Sequence, residues 1–427
     1  MASISSARSL NKKYNHRNNI VLARLRSFLD KIKPQFEPGG RFHEFHSVYD
    51  GFETFLYTPR TTSPATGAVQ IHDNIDAKRT MITVVLALMP CFLFGIYNTG
   101  YQHWLSLGAT EFPFWQLVIY GFLTILPRVV VAYVVGLGIE FAFAQWRKEE
   151  IQEGFLVTGI LVPMICPAEI PLWMLAVAVA FAVVFAKEVF GGTGYNVVNV
   201  ALVTRAFLFF AYPAQMSGDK VYVAASTPFG FGTPTPDGFT GATPLGQIAL
   251  QNGPDITLTG IDGQIIDAWQ AFLGFIPGSF GETSTLCILI GAVILLASGI
   301  ASWRIMLSVI VGGLATGLIA NAFATPLYPA SYIPAGEQLL LGGFAFAAVF
   351  MATDPVTAAR TTTGKYIYGF LIGAVAILIR TYNTGYPEGA MLAVLLMNCF
   401  APLIDYCVVQ ANIRRRMNRT KAKAIQQ

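Results

Sequence analysis

The run Asp237-Gly-Phe-Thr-Gly-Ala-Thr-Pro244 places a threonine hydroxyl among small residues, within the one long polar segment of an otherwise apolar chain. The small neighbours leave the Thr243 hydroxyl sterically open. Pro244 fixes the backbone straight after it, as at the first position of a helix. The common role of such a threonine is a helix N-cap. From this run alone, a structural cap and a hydroxyl accessible for chemistry remain as alternatives.

Three acids, Glu140, Asp354 and Asp405, lie within or at the ends of apolar segments. Because an ionised carboxylate in hydrocarbon is costly, each is a candidate for ion handling. Asp354 precedes Pro355 after a Gly- and Ala-rich stretch, where an opened helix would expose carbonyl oxygens of the kind Na+ accepts. Structural alternatives are a cap or proline turn for Asp354, a salt bridge with the Arg414 cluster for Asp405, and an interfacial position for Glu140.

The run Lys187-Glu-Val-Phe-Gly-Gly-Thr-Gly-Tyr-Asn196, followed by Asn199 and Arg205, collects glycines, amides and a cation at a helix junction. Such a junction suits a flavin ring or an anionic group, although a tight turn is the more common meaning of Gly-Gly-x-Gly. The chain has no G-x-G-x-x-G after a strand and no alternation of strands and helices. The sequence therefore predicts no dinucleotide-binding site of this type in the chain.

The composition is that of a polytopic membrane protein, with 54% hydrophobic residues, 12% charged residues and a mean hydropathy of +0.54. The cysteines form no C-x-x-C pair, which argues against disulfides and an all-cysteine iron–sulfur site. The histidines are expected to lie outside the membrane spans, which argues against a haem held by two histidines in the bilayer; they are His16, His43, His46, His72 and His103.

With about 20 apolar residues as the length of a span, the sequence predicts an all-α integral membrane protein of about ten helices. Short or broken segments occupy matching positions in the two halves, which indicates a 5+5 inverted repeat with a midplane site. The predicted spans are 80–99, 114–144, 155–166, 171–187 and 196–213, then 283–300, 303–325, 338–352, 366–380 and 387–410.

The basic residues predict the orientation. Of the 28 Lys and Arg residues, 24 fall in segments assigned to one side, which is expected to be cytoplasmic and to hold both termini. The polar loop is then on the opposite side, and an odd number of spans per half requires opposite orientations. The predicted organisation is an arm with an amphipathic helix at 20–33, two helical halves around a loop, and a basic tail: 1–79, 80–213, 214–282, 283–411 and 412–427.

The run from Asp237 to Thr243 resembles the flavin-attachment motif of two related membrane redox subunits, in which a phosphoester joins FMN to the last Thr. The likeness extends from Phe36-Glu-Pro-Gly-Gly40 through the 187–194 run to Tyr386-Pro-Glu-Gly389. The chain thus resembles the family that comprises the B subunit of the Na+-translocating NADH:quinone reductase and the D subunit of the Rnf complex. One departure is Thr240, where the family usually has Ser.

The resemblance implies a fold similar to that of urea and ammonium channels, with FMN covalently bound to Thr243 beside Thr240 and Gly241. It also implies a non-covalent riboflavin, which we place near Asn199 and Arg205. It further implies ubiquinone reduction near the cytoplasmic end of the second span, at Gly136, Leu137 and Glu140, and Na+ handling by the acids Asp354, Asp405 and Glu140.

The expected setting is the bacterial inner membrane, with the flavin loop periplasmic. The expected partners are an NADH-oxidising subunit, a second subunit with covalent FMN, quinone and lipids, and no nucleic acid. Two alternatives remain: a urea- or ammonium-type channel without redox chemistry, and an Rnf-type subunit. The long arm before Phe36 and the Phe207–Pro213 run favour the reductase.

Overall fold

The computed structural model describes residues 31–36, 40, 49, 77–109, 111, 113–148, 154–216, 222–236, 241–251, 253–383, 385 and 387–425. Over these residues the secondary structure is helical, apart from one isolated antiparallel bridge between Thr259 and Ile265. The predicted all-α class is confirmed. Most of the predicted amphipathic segment 20–33 lies outside the described residues, as do Thr240 with the three residues before it, and Tyr386.

Long apolar helices account for most of the structure. Six are long and apolar enough to cross a membrane, and three further apolar helices are shorter. A hydrophobic stretch of this length is typical of a transmembrane helix, so the chain is an integral membrane protein. The six are Arg79–Ser106, Phe114–Arg147, Leu172–Phe190, Trp303–Ala322, Thr362–Tyr382 and Ala390–Thr420; the three are Phe155–Ile165, Val200–Ala211 and Thr285–Ala297.

The first half contains helices at each of its predicted ranges, with different ends. The first helix continues past the predicted end of its span, and the fourth passes from α-helix into a π-helical turn at Val183–Lys187 and a 3-10 turn at Glu188–Phe190. The helices are α1 Ala77–Ser106, α2 Phe114–Arg147, α3 Phe155–Ile165, α4 Leu172–Ala182 and α5 Val200–Ala211.

The polar segment 214–282 carries short helices. Asp267 caps the last of them through a capping box with Gln270, which satisfies the free N–H groups at the helix start. These helices are α6 Pro213–Met216, α7 Pro244–Leu250 and α8 Ala268–Leu273.

The second half differs most from the prediction at 338–352, where the chain is broken into two short helices and a π-helical turn at Ala347–Met351. The basic tail after 412 continues the last helix. The helices are α9 Thr285–Ala297, α10 Trp303–Ala322, α11 Ala335–Leu340, α12 Phe344–Phe346, α13 Thr362–Tyr382 and α14 Ala390–Ile425.

By its contacts the chain divides into two units, residues 1–74 with 140–153, and residues 75–139 with 154–427. In the first unit, the rings of Phe36 and Tyr49 stack with centroids 5.1 Å apart. In the second unit, α10 packs closely on α13. A Cβ on Gly312 or Gly373 would collide with the backbone of the facing helix. The two helices can approach this closely because both positions are glycine, as is common where membrane helices pack.

Candidate functional site

Thr243 is the N-cap of α7, and Pro244 occupies the first helical position, as the sequence predicts. The Thr243 Oγ1 accepts a hydrogen bond from the Gly246 N–H at 3.1 Å. The side chain is only partly buried. Gly246 has no Cβ, and one placed there would lie 3.3 Å from Oγ1. The glycine therefore leaves space beside the hydroxyl that any larger residue would crowd.

Two glutamines hold the following loop against α7. The Gln247 amide donates to Thr259 O at 2.7 Å and accepts from Thr259 N at 2.9 Å. One turn later, Gln251 donates to Thr257 O at 2.7 Å and accepts from Thr257 N at 3.1 Å. Each glutamine amide bonds the N–H and the C=O of one loop residue, so the backbone polar groups of Thr257 and Thr259 are satisfied.

An outer pocket of about 360 Å³ lies between α7 and this loop. It starts at Gly241 and Ala242, immediately before Thr243, and among the residues lining it none is charged. Glycine backbone and side-chain amides form much of its wall; the lining residues are Gly241, Ala242, Gln247, Leu250, Gln251, Thr259, Gly260, Ile261 and Gly263.

A second, smaller cleft of about 20 Å³ is lined by Thr243 together with two acids, Glu282 and Glu388. Both acids pair with the guanidinium of Arg205, which reaches them from α5. The Arg205 Nη1 to Glu282 Oε1 distance is 2.5 Å, and both side chains are almost fully buried. The Tyr222 hydroxyl also lies 3.5 Å from Glu388 Oε1. These side chains join the first half, the polar loop and the second half in one network.

Burial raises the pKa of the Glu282 carboxyl above its usual range, and the pairing with Arg205 opposes that shift. The single Arg205 guanidinium pairs with two carboxylates. If all three groups are ionised, the net charge of the cluster next to Thr243 is negative. Arg205 is thus engaged by acids, rather than presented to an anionic ligand as the sequence alone suggested.

Asp354 follows the broken helix of the second half, beyond the π-helical turn. Its Oδ1 accepts from Val356 N at 3.0 Å, and its Oδ2 accepts from Thr357 Oγ1 at 3.1 Å. The same Oδ2 accepts from the Asn199 Nδ2 at 3.3 Å. Asn199 is also the N-cap of α5, where its Oδ1 accepts from the Leu202 N–H. The structure therefore joins two of the residues singled out in the sequence, one from each half.

A cavity of about 110 Å³ surrounds this pair of residues. That volume holds several waters, each of which needs about 10–15 Å³ of such space. The wall is mixed: apolar side chains alternate with hydroxyls, amides, one carboxylate and one ammonium. Its polar residues are Thr80, Thr158, Lys187, Thr193, Asn196, Asn199, Thr353 and Asp354. The Gly-rich junction predicted to hold a ligand thus faces the same space as Asp354.

Asp405 accepts hydrogen bonds at the start of α13. Its carboxylate accepts from Arg360 N at 2.7 Å, from Thr361 N at 3.0 Å and from Thr361 Oγ1 at 2.5 Å. These bonds fix the chain just before a helix whose own N-cap is Thr361. Asp405 does not lie in the cavity that contains Asp354. Among the described residues, no three His, Cys, Asp or Glu side chains cluster as metal ligands do.

Gly136 packs against the ring of Phe155, so that any side chain at 136 would collide with it. Leu137 is partly buried against the hydrophobic core of the second unit. Glu140 follows on the same helix and is buried. It belongs to the first unit, whereas Gly136 and Leu137 belong to the second.

The prediction that every histidine lies outside the spans is wrong for His103. Helix α1 continues to Ser106, and His103 is completely buried in it. Its Nδ1 lies 2.7 Å from Ala224 O, and its ring stacks on Tyr120 with centroids 3.9 Å apart. The predicted span ended too early because polar residues such as Asn98 and Gln102 interrupt the apolar run. The other four histidines lie outside the described residues.

Sequence reasoning missed several site residues: Glu388, Tyr222, Gln247 and Gln251. One feature of the sequence could have identified Glu388: it is an acid between Pro387 and Gly389, in a short turn between two apolar segments. The other three are ordinary polar loop residues by sequence. Their contacts depend on how the loop folds onto α7 and α5.

Similarity to known proteins extends over the same helices that build this geometry. The NQR2, RnfD, RnfE family model matches residues 65–414, which include α1 to α13 and most of α14. The chain belongs to this family. The family resemblance proposed from the motifs is therefore confirmed.

Individual relatives cover nearly all of both chains. The B subunit of the Na(+)-translocating NADH-quinone reductase of Chromohalobacter salexigens is 46% identical over 418 residues, which is 93% of this chain and 97% of the relative. Proteins of the same name from Ectopseudomonas mendocina and Yersinia pestis are each 44% identical, over 92% of this chain and 99% of their own. Among these three, none carries an Rnf name.

Proposed function

We propose that this chain is the B subunit, embedded in the membrane, of a Na+-translocating NADH:quinone reductase. It carries covalent FMN, relays electrons through flavins to ubiquinone and couples this transfer to Na+ export. The observation that carries the proposal is the likeness to the named subunits, which extends over nearly the whole of both chains. The NADH site belongs to another subunit, since this chain lacks a dinucleotide fingerprint.

FMN is held as a phosphoester on Thr243, with Gly241 and Thr240 as part of the attachment motif. The fit is supported by the partly exposed hydroxyl, the free space above Gly246 and the pocket that begins two residues earlier. When bound, the flavin supplies one- and two-electron chemistry. The chain's own contribution is to fix the attachment point at the start of a capped helix.

The helices form a 5+5 inverted repeat like that of urea and ammonium channels. The contacts between helices support this. In the first half, α1 contacts α3 and α4 contacts α5. In the second half, the corresponding contacts join α9 to α12 and its π-helical turn, and α13 to α14. The first helices of the halves, α1 and α9, also pair with each other, as do the last, α5 and α14. A two-fold axis in the membrane plane produces such matched pairs.

Na+ is handled at the broken helix of the second half. Asp354 supplies a carboxylate there, and the Thr357 hydroxyl oxygen and the Asn199 amide nitrogen both donate hydrogen bonds to it. A hard cation needs several oxygens, so Na+ would require further oxygen ligands besides Asp354 at this break. Asp405 and Glu140 belong to the same proposed route at other points.

Riboflavin is assigned to the junction that precedes α5. The polar cavity faced by Asn196 and Asn199 supports this placement. Arg205, on the same helix α5, is assigned to the riboflavin site by the family resemblance, and its guanidinium pairs with Glu282. Quinone reduction is assigned to Gly136, Leu137 and Glu140 on α2, beside the phenylalanines at 141 and 143 that suit an isoprenoid tail.

The orientation follows from the basic residues, with both termini cytoplasmic and the flavin loop periplasmic in the bacterial inner membrane. The partners are the NADH-oxidising subunit and a second subunit with covalent FMN. Quinone and lipids complete the environment.

The proposal is tested in a bacterial strain that lacks the reductase and expresses the operon with this chain. Washed membranes are expected to oxidise NADH with quinone faster when Na+ is added, and membrane vesicles to move Na+ with the reaction. Ferredoxin-linked activity instead would point to an Rnf-type subunit. Urea or ammonium flux without Na+-stimulated NADH oxidation would point to a channel.

A further inference from the structure

We propose that the surface formed by Trp303 and Arg304 on α10 and by Lys365 and Tyr366 on α13 binds the headgroup of an anionic phospholipid. We call it the α10–α13 headgroup surface. The inference goes beyond the proposed redox function, because none of these residues belongs to the flavin, quinone or Na+ sites assigned above.

Two basic residues are held side by side where α10 and α13 begin. The Ser308 Oγ lies 2.7 Å from Arg304 O and 3.4 Å from Lys365 O, within hydrogen-bond distance of both carbonyls. A Cβ on Gly369 would collide with Ser308, so this glycine lets the two helices touch at the same level. The backbones that carry the two cations are therefore fixed next to each other.

The positive charge of this pair is not neutralised from within the two helices, since neither α10 nor α13 contains an acidic residue. Asp405 lies close to the start of α13, but its oxygens accept from Arg360 N and from Thr361, and its negative charge interacts with Arg360. The N-cap of α10, Ser302, makes no side-chain cap hydrogen bond, so the first N–H groups of that helix also suit an anion. The α10–α13 headgroup surface thus attracts negative charge.

Two aromatic rings place these cations at the edge of the bilayer. The Arg304 guanidinium lies over the Trp303 ring, 5.5 Å from its centroid. The Trp303 and Tyr366 rings meet edge to face with centroids 6.3 Å apart, and both side chains are exposed. Tryptophan and tyrosine concentrate at the level of the lipid headgroups. Lipid phosphates therefore lie at the level of the two cations.

Exposed apolar side chains continue from the aromatic pair along both helices. On α10, Leu307 and Val311 follow Trp303 by one and two turns, and on α13, Phe370 follows Tyr366 by one turn. The acyl chains of a lipid whose headgroup meets the cations would cover this stripe. An acidic protein segment would meet the cations but leave the stripe bare, so the surface favours an anionic phospholipid.

The test is native mass spectrometry of the full-length chain, purified in detergent and titrated with phosphatidylglycerol or with zwitterionic phosphatidylcholine. The test variant combines Arg304→Gln with Lys365→Gln. The matched control combines Arg416→Gln with Arg419→Gln, which removes the same charge from the exposed tail of α14. A charge-conserving variant, Arg304→Lys with Lys365→Arg, separates the effect of charge from any effect on folding.

Wild type is expected to bind phosphatidylglycerol about tenfold more tightly than phosphatidylcholine, because two cations contact the anionic headgroup. The test variant is expected to lose this preference, while the matched control and the charge-conserving variant keep it. Equal affinity of wild type for the two lipids would overturn the proposal, as would equal losses in the test variant and the matched control, or loss of the preference in the charge-conserving variant. Wild-type lipid binding by the test variant, with loss of another subunit from the purified complex, would overturn it in favour of a protein partner.

Discussion

Asn199 and Asp354 lie 155 positions apart, and their side chains are joined by a hydrogen bond in which Asn199 Nδ2 donates to Asp354 Oδ2 at 3.3 Å. One residue starts the last helix of the first half, and the other follows the broken helix of the second half. The bond orients the Asp354 carboxylate, and both residues line one polar cavity. It is the structural basis for assigning Na+ handling to this place.

Asp354→Ala is expected to raise the Na+ concentration for half-maximal quinone reduction about tenfold, because one charge-assisted contact to the ion is lost. Asp354→Asn should be milder, since its amide oxygen still coordinates. The measurement is a Na+ titration of quinone reductase activity in the purified complex.

Asp405→Ala is the companion variant in this titration. It removes the acceptor for two N–H groups and one hydroxyl before α13, so we expect lower thermal stability together with a raised Na+ requirement. Wild-type Na+ dependence in both variants would mean that these acids have only structural roles.

Asn199→Ala is expected to lower the riboflavin extracted from the complex and leave covalent FMN unchanged. The same change removes the cap of α5, which is worth about 1 kcal/mol. Asn199→Ser separates the two effects, because serine caps a helix but is too short to reach Asp354. If serine restores full riboflavin content, Asn199 acts through the helix start and does not contact the flavin.

Gly136→Leu is expected to alter sensitivity to quinone-site inhibitors before it alters FMN content, since the new side chain displaces Phe155. Gly138→Leu is the matched control on the same helix, because a Cβ at 138 meets no atom within 4 Å. Inhibitor titration of both variants decides the assignment. Equal responses at 136 and 138, or no response at either, would place the quinone elsewhere.

Arg205→Met leaves the buried Glu282 and the partly buried Glu388 without their cation, and removing one partner of a buried pair costs about 3–5 kcal/mol. A large fall in the thermal unfolding midpoint in detergent is expected. Adding Glu282→Gln to Arg205→Met should recover part of that loss, because one uncompensated charge disappears. Independent, additive effects of the two changes would show that the pair is not coupled.

The positions of the helices could be predicted because an apolar run long enough to span a membrane is visible in the sequence itself. The Thr243 cap could be predicted too, since Thr followed by Pro is a local signal for a helix start. The end of α1 could not be predicted, because the polar residues Asn98 and His103 are satisfied by distant partners, Ile276 O and Ala224 O.

The long-range side-chain pairings could not be predicted from the sequence for the same reason. Arg205 was identified as a lone cation at a junction, but its two acids lie 77 and 183 positions away. Gln247 and Gln251 have the i, i+4 spacing of one helix face, yet only the folded loop reveals that both amides bind its backbone. The chemical type of each of these side chains could be read from the sequence, but their hydrogen-bond and ion-pair partners depend on tertiary packing.

The most direct measurement of the central claim is in-gel flavin fluorescence of the denatured full-length chain, compared between wild type and Thr243→Ala. A covalent adduct survives denaturation, whereas a dissociable flavin does not. We predict a fluorescent wild-type band and a dark Thr243→Ala band of equal protein content. A dark wild-type band, or a Thr243→Ala band that still fluoresces through Thr240 or another residue, would contradict the attachment of FMN to Thr243.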